Sequence, residues 1–165
     1  MPFDFPLITR ALLIANIGIY LVQLLAGELL IAYFALWPLG PDQVGMTDEG
    51  TTVAVGFRVW QLVSYGFLHG DLKHLFFNMF ALFMFGGPIE RTIGARPFLM
   101  YYLVCVVVAA LAQLVVVRYF TGGFYPTLGA SGGVFGLLLA FGMLYPQQRI
   151  MLLFPPIPMP AWLFV

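Results

Sequence analysis

Charge is the scarcest property of this sequence. Only 8% of its 165 residues are Asp, Glu, Lys or Arg, whereas 62% are hydrophobic and the mean hydropathy is +0.97. Soluble domains carry roughly 25% charged residues. So few charges cannot cover a water-facing surface of this size, and most of the surface must therefore face lipid. We predict an all-α integral membrane protein, a polytopic bundle of transmembrane helices.

A surplus of positive charge and a second cysteine are also missing. Seven basic residues balance seven acidic ones, which argues against nucleic acid as a partner because phosphate binding needs a basic surplus. Cys105 is the only cysteine, so no disulfide can form within the chain. No Walker-like or dinucleotide-binding glycine pattern is present, and we predict no cofactor.

Long apolar runs divide the chain into membrane-spanning segments. A bilayer core of about 30 Å needs about 20 apolar residues per helix. Four full spans and the start of a fifth are predicted, at residues 7–37, 72–89, 97–117, 128–145 and 150–165. A long polar loop separates the first two spans, and a glycine-rich connection precedes the fourth. We predict one membrane domain, residues 1–165, incomplete at its C-terminus.

The basic residues predict the orientation of the bundle. If the spans alternate, one side receives Arg10, Arg91, Arg96 and Arg149, and the other receives Arg58 and Arg118, with Lys73 at its edge. The excess of positive charge belongs on the cytoplasmic side. We therefore expect a multi-pass protein of a bacterial inner membrane with a cytoplasmic N-terminus. The long loop and the glycine-rich connection then lie on the outer side.

The first polar cluster lies at the start of the second span. His74 and Asn78 are four residues apart and share one face of a helix. Two nitrogen donors on one face are suited to stabilising negative charge on a substrate oxygen. Hydrogen bonding between helices is an equally good interpretation. A closed metal site needs three or four ligands, and we predict no metal.

The second cluster surrounds a serine at the start of the fourth span. Ser131 stands between Gly129 and Gly132, and free N–H groups at a helix N-terminus can hold an anion. A serine nucleophile with an oxyanion site has these requirements. Gly132 and Gly136 form a small-xxx-small pair, which by itself favours tight helix packing. Because both clusters lie at the same depth, a helix pair would bring Ser131 to His74 in a wet, outward-opening cavity.

The order and spacing of these motifs resembles the rhomboid family of intramembrane serine proteases. The likeness covers essentially the whole chain and rests on Trp60, His69, the His74-x-x-x-Asn78 pair, the Gly-Gly-x-x-Glu-Arg turn at residues 86–91, and Gly129-Ala130-Ser131-Gly132. The resemblance implies a six-helix bundle in which the loop after the first span lies partly in the membrane. Its substrates would be transmembrane segments of other membrane proteins.

The resemblance also implies a role for each matching residue. Ser131 matches the nucleophile, and His74, Asn78 and the Ser131 backbone N–H match the groups that stabilise the oxyanion. The positions that support the site are Gly129, Gly132, His69, Trp60 and Phe135. Phe135 stands where the family has an aromatic residue that stacks on the catalytic histidine.

Two departures from the family pattern affect these expectations. Gln61 stands where many members have arginine, which predicts a different anchoring of the loop. The family's general base is a histidine on the sixth span, whereas the two histidines here, His69 and His74, match other positions. We therefore expect a partial chain that is inactive alone, or a second chain that supplies the missing spans.

Two other functions fit parts of the same pattern. A catalytically inactive rhomboid-like protein would bind transmembrane clients without cutting them. A transporter or channel fragment would use Ser131, His74 and Asn78 to line a polar path. The sequence does not identify the substrates, the pathway or the oligomeric state.

Overall fold

The fold is mostly helical. The computed structural model describes residues 5–46, 50–151 and 158–164. In these residues the helices are α1 (Leu7–Phe34), α2 (Gln61–Ser64), α3 (Leu72–Ala81), α4 (Gly87–Ile93), α5 (Ala95–Val116), α6 (Ser131–Leu144) and α7 (Ala161–Phe164). The strands are β1 (Gln43–Met46), β2 (Thr52–Val55), β3 (Arg149–Met151) and β4 (Pro158–Pro160).

Among the described residues, three helical stretches are long and apolar enough to cross a bilayer. They are Leu7–Phe34 with 28 residues, Leu72–Ile93 with 22 and Ala95–Thr121 with 27. In the second stretch a π-helical turn, Leu82–Gly86, joins α3 to α4, and the third ends in another π-helical turn after α5. These stretches agree with the first three predicted spans, and the helical membrane bundle is confirmed.

The fourth predicted span is shorter than expected. Helix α6 begins at Ser131 and has 14 residues, which corresponds to about 21 Å at 1.5 Å per residue. Residues 128–130 stay outside the helix because Gly129 has φ +127°, a conformation foreign to right-handed helices. The prediction of a full span from Leu128 is therefore corrected to a short helix with Ser131 at its N-terminus.

The fifth predicted span does not begin as a helix at Ile150. Strand β3 pairs with β4 in antiparallel register, with Arg149 opposite Pro160, and α7 follows at Ala161. Pro158 and Pro160 cannot donate the backbone hydrogen bonds that a continuous helix requires. The rest of that predicted span, residues 152–157 and 165, lies outside the described residues.

The long loop after α1 contains a β-hairpin that the sequence analysis did not predict. Strands β1 and β2 pair with Gln43 opposite Val55. The N–H of Leu36 donates to the Thr127 carbonyl, and the N–H of Thr127 donates to the Leu36 carbonyl, both at 2.9 Å. This reciprocal pair fixes the loop to the connection before α6, so both segments lie at one end of the bundle.

Glu90 ties the other end of the bundle together. Its carboxylate is 4% exposed and accepts bonds from the N–H groups of Ile8 and Thr9, at 2.9 and 2.7 Å, and from the Thr9 hydroxyl at 2.7 Å. The first N–H groups of a helix have no partner within it and favour a negative charge. Glu90 of α4 therefore caps α1.

Candidate active site

Ser131 is the first residue of α6, and the loop before it is held in place by a backbone bond. The N–H of Gly129 donates to the Tyr65 carbonyl at 2.9 Å, and Tyr65 lies in a short 3-10 turn after α2. The N–H of Val134 donates to the Ala130 carbonyl at 3.0 Å, which closes the first turn of the helix. Ser131 is half-buried at this helix terminus.

The imidazole of His74 lies directly against the loop that precedes Ser131. A β-carbon added to Gly129 would lie 2.6 Å from both Cε1 and Nε2 of His74. The N–H of His74 donates to the Asp71 carboxylate at 2.8 Å, so Asp71 is the N-cap of α3. This bond lowers the pKa of Asp71 below its ordinary value. The structure thus brings the His74 and Ser131 segments together.

Asn78 lies one helical turn beyond His74 and is buried. It is 5% exposed, and its amide nitrogen has no hydrogen-bond partner among the described residues. A buried amide nitrogen is ordinarily bonded. Hydrogen bonding between helices was the alternative interpretation of this residue, and within the described residues its nitrogen makes no such bond. Its capacity to donate hydrogen bonds is therefore unused within the described residues.

His69 is a buried neighbour of His74. It is 1% exposed, its ring nitrogens have no hydrogen-bond partner among the described residues, and its ring meets the His74 ring edge-on at 5.1 Å between centroids. Burial, assisted by the charge of His74, lowers the pKa of His69 to about 4. Its backbone N–H and carbonyl both bond to the Gln23 side-chain amide at 3.0 Å. His69 is therefore packed inside the protein and is not in contact with solvent.

The glycines of α6 pack tightly against α5, as the alternative interpretation of this motif predicted. A β-carbon on Gly132 would lie 2.5 Å from Cβ of Ala109, and one on Gly136 would collide with Cys105. The Tyr101 hydroxyl donates to the Gly136 carbonyl at 2.7 Å. Tight packing does not compete with a role for Ser131, because it fixes the helix that carries the serine.

Trp60 and Gln61 anchor the loop to the end of α1. The Trp60 indole N–H donates to the Tyr33 carbonyl at 3.0 Å. Gln61 is fully buried, and its oxygen accepts from the N–H groups of Trp37 and Arg58 at 3.3 and 3.0 Å. Its nitrogen donates to the carbonyls of Tyr33 and Gly56 at 3.3 and 3.1 Å. A neutral amide thus makes four bonds at a position where many family members have arginine.

Phe135 lies on the outer surface of α6. Its side chain is 70% exposed, and it makes no aromatic ring contact within the described part of the chain. Phe135 is four residues after Ser131 and so lies on the same helix face. Its predicted stacking on a histidine stays a prediction.

Several supporting residues were not recognised from the sequence. Asp71 carries the usual signal of an N-cap, an acidic residue just before an apolar helix, but the sequence analysis assigned it no role in the site. The Gln23 side chain bonds to the backbone of His69, 46 residues away. The Tyr65 carbonyl bonds to the backbone of Gly129, 64 residues away. No local pattern encodes such contacts.

The site can serve acyl transfer by its arrangement of donors. A serine hydroxyl at a helix N-terminus, an imidazole beside its loop and an unbonded amide nitrogen are the groups that a tetrahedral intermediate needs. Within residues 5–46, 50–151 and 158–164, no group of three or more histidine, cysteine, aspartate or glutamate side chains lies together as metal ligands would.

The chain is similar to known proteins of one family. The family model described as the Rhomboid domain matches residues 56–165. The chain is 34% identical over 109 residues to Rhomboid protein 1, mitochondrial, of Saccharomyces cerevisiae, covering 61% of this chain and 30% of the yeast protein. It is 26% identical over 131 residues to Rhomboid protease GlpG of Yersinia pestis, covering 79% of this chain and 41% of that protein.

The chain thus spans less than half the length of either relative. Since the family model matches well over half of the chain, this integral membrane protein belongs to the rhomboid family.

Proposed function

We propose that this chain forms the core of an intramembrane serine endopeptidase that cleaves transmembrane segments of membrane proteins. Ser131 is the nucleophile. The proposal is supported above all by one observation, the packing of the His74 ring against Gly129, two residues before a serine that opens α6. A relative of this chain is named a protease.

The reaction that we propose is acyl transfer. The Ser131 hydroxyl oxygen attacks the scissile carbonyl carbon, and negative charge develops on the carbonyl oxygen. The His74 imidazole, the Asn78 amide nitrogen and the Ser131 backbone N–H donate hydrogen bonds to that oxygen. The general base takes the Ser131 hydroxyl proton and passes it to the nitrogen of the leaving amine as the C–N bond breaks. Water then gives up a proton to the same base, attacks the acyl-enzyme, and releases the carboxylic acid product and the free serine. Oxyanion donors of this kind contribute about 10²- to 10³-fold each in well-studied hydrolases.

The general base of this proposal is a histidine outside these 165 residues. The chain contains only His69 and His74. His74 is assigned to the oxyanion, and His69 is 1% exposed. The segment that carries this histidine must pack against the face of α6 that contains Ser131. Phe135 is one turn beyond Ser131 on this face, and its side chain is exposed.

Substrate segments must be locally unwound at the site. A transmembrane helix holds its carbonyls in internal hydrogen bonds, and an attacking serine needs a free one. Small or helix-breaking residues near the outer face of the substrate meet this requirement. The proposed location is a bacterial inner membrane with the N-terminus in the cytoplasm, which places Ser131 near the outer side.

An inactive rhomboid-like binding protein is the second candidate. The observation that favours it concerns the two histidines present: His69 is 1% exposed, and His74 is assigned to the oxyanion. Such a protein would hold transmembrane clients against the same face of α6 without forming an acyl-enzyme.

Labelling with a fluorophosphonate separates the two candidates. The sequence has two serines, Ser131 and Ser64, and the Ser64 hydroxyl is bonded to the Phe34 carbonyl at 2.8 Å. In the intact protein we expect labelling that Ser131→Ala abolishes and Ser64→Ala preserves. A folded protein that does not label, yet retains transmembrane clients on affinity capture, would reject the protease in favour of the binder.

A further inference from the structure

A cleft lies at the end of the bundle opposite Ser131. Its volume is about 560 Å³, and it opens between α4 and the C-terminal end of α6. The Thr92 hydroxyl bonds to the Tyr145 hydroxyl, and the Tyr145 hydroxyl also donates to the Pro88 carbonyl at 3.2 Å. These bonds tie α4 to the end of α6 across the cleft. The proposed reaction uses none of these residues.

Two arginines line the cleft, and neither has a counterion among the described residues. Arg91 and Arg149 are both exposed. Within the described residues the one ion pair is Arg58 with Asp42, at the other end of the bundle. Glu90 is adjacent to Arg91 in sequence, but its carboxylate oxygens are bonded to Ile8 and Thr9. The cleft therefore carries two positive charges that an anion can neutralise.

The remaining wall of the cleft is largely apolar. Met84, Phe85, Phe141 and Ile150 line it beside the two arginines. The Phe85 and Phe141 rings meet edge-on at 5.0 Å between centroids and form a rigid apolar surface. A binding surface of this kind fits a molecule with an anionic head and a hydrocarbon chain. Inorganic phosphate alone would leave the apolar wall exposed.

The cleft is lined by residues near the end of the span-length helix Leu72–Ile93 and the end of the shorter apolar helix α6. The ends of a membrane-spanning helix lie at the level of phospholipid headgroups. A second cleft of about 370 Å³ on the other side of Arg91 is lined by Arg10. Basic residues between transmembrane helices at such a boundary are a known means of holding lipid phosphate.

We propose that this cleft binds an anionic glycerophospholipid from the leaflet on the α1 N-terminal side. The Arg91 and Arg149 guanidinium groups hold the phosphate, since the planar donors of arginine match phosphate oxygens. An acyl chain lies along Met84 and Phe85. The site is independent of the proposed protease activity, because it is at the opposite end of the bundle.

Native mass spectrometry of the intact protein in detergent tests the proposal. Phosphatidylglycerol and phosphatidylcholine are titrated separately. We expect saturable retention of one phosphatidylglycerol and weaker retention of phosphatidylcholine. The double variant Arg91→Gln/Arg149→Gln should weaken phosphatidylglycerol binding about tenfold or more, since each basic residue contributes about 1 kcal/mol near an anionic surface. If the double variant unfolds, Arg149→Gln alone provides the measurement, and Arg91→Lys/Arg149→Lys should retain partial binding.

Arg118→Gln is the matched control, because Arg118 is exposed in the π-helical turn after α5, at the end of the bundle away from the cleft. It should bind phosphatidylglycerol as the unaltered protein does. Equal retention of the two lipids, or equal weakening by Arg118→Gln, would overturn the proposal. Full displacement of phosphatidylglycerol by an equal concentration of inorganic phosphate would overturn the lipid assignment, since the acyl chain would then contribute nothing.

Discussion

The Cε1–Nε2 edge of the His74 ring of α3 packs against Gly129, in the space that any other residue at position 129 would fill with its side chain. A β-carbon there would lie 2.6 Å from two ring atoms, and the glycine has φ +127°. Position 129 therefore requires glycine for two separate reasons, the short distance to the His74 ring and the positive φ of the backbone. The contact also joins α3 to the loop that carries Ser131.

Gly129→Ala should disrupt this contact. We expect the His74 ring to move and the unfolding free energy to fall by about 2 kcal/mol, because both backbone strain and a clash are introduced. Fluorophosphonate labelling of Ser131 should fall with it. The matched control is Gly18→Ala, because Gly18 in α1 has nothing within 4 Å of an added β-carbon. That change should leave labelling unaltered, and full labelling of Gly129→Ala would contradict the proposed arrangement.

Asn78→Ala tests the proposed oxyanion donor. The nitrogen makes no bond among the described residues, so its removal costs the fold little while the intermediate loses a donor. We expect kcat to fall about 10-fold or more in the intact enzyme, with KM little changed. Asn16→Ala is the control, because the Asn16 amide nitrogen donates within α1 to the Leu12 carbonyl at 2.7 Å. Unchanged turnover in Asn78→Ala would reject the role.

Gln61→Leu should loosen the loop after α1. The change removes four bonds and leaves the N–H groups of Trp37 and Arg58 and the Gly56 carbonyl without a partner, whereas the Tyr33 carbonyl keeps the Trp60 indole. Each unpaired group costs about 1–3 kcal/mol where water cannot reach it. We expect the unfolding free energy, measured by denaturant titration in mixed micelles, to fall by about 3 kcal/mol after partial relaxation. Gln43→Leu, an exposed position in β1, should change it far less. Equal losses of unfolding free energy in the two variants would show that the four Gln61 bonds stabilise the fold no more than an exposed side chain does.

The sequence predicted the bundle because membrane solvation leaves a clear signal. A run of about 20 apolar residues has few alternatives to a spanning helix, and the first three spans were found at nearly their observed bounds. Helical spacing placed His74 and Asn78 on one face, whereas their roles and that of Ser131 came from the resemblance to the rhomboid family and stay predictions. The start of α6 was misjudged because Leu128 and Ala130 are apolar, whereas the φ of Gly129 decides the boundary. Gln23 and Gln61 act through distant backbone groups, which hydropathy does not encode.

His69 makes stability depend on pH. The folded ring has a pKa of about 4, against an ordinary value of 6.5. Between pH 6.5 and pH 4 the His69 ring is protonated in the unfolded chain but neutral in the folded chain. The unfolding free energy therefore falls as the pH decreases from 6.5 towards 4, and it levels off below pH 4. At roughly 1.4 kcal/mol per pKa unit, the loss is at most about 3 kcal/mol.

Unfolding titrations at pH 7.5 and pH 4.5 measure this loss, and His69→Gln should remove the His69 contribution to the difference. An equal pH dependence in the unaltered protein and the variant would show that the His69 ring charges as freely in the folded chain as in the unfolded one.

Glu90→Gln should destabilise the end of the bundle away from Ser131. The carboxylate accepts three bonds from Ile8 and Thr9 at the start of α1, and an amide retains one oxygen while turning N–H donors toward those N–H groups. We expect the unfolding free energy to fall by about 2–4 kcal/mol, because an uncompensated donor is left in a buried site. Thr9→Val removes one of the three bonds and should cost about 1 kcal/mol.

Because Glu90 and Ser131 lie at opposite ends, labelling per folded molecule should stay unchanged in both variants. A loss of labelling in fully folded Glu90→Gln would mean that the α1 cap also controls the geometry of the serine.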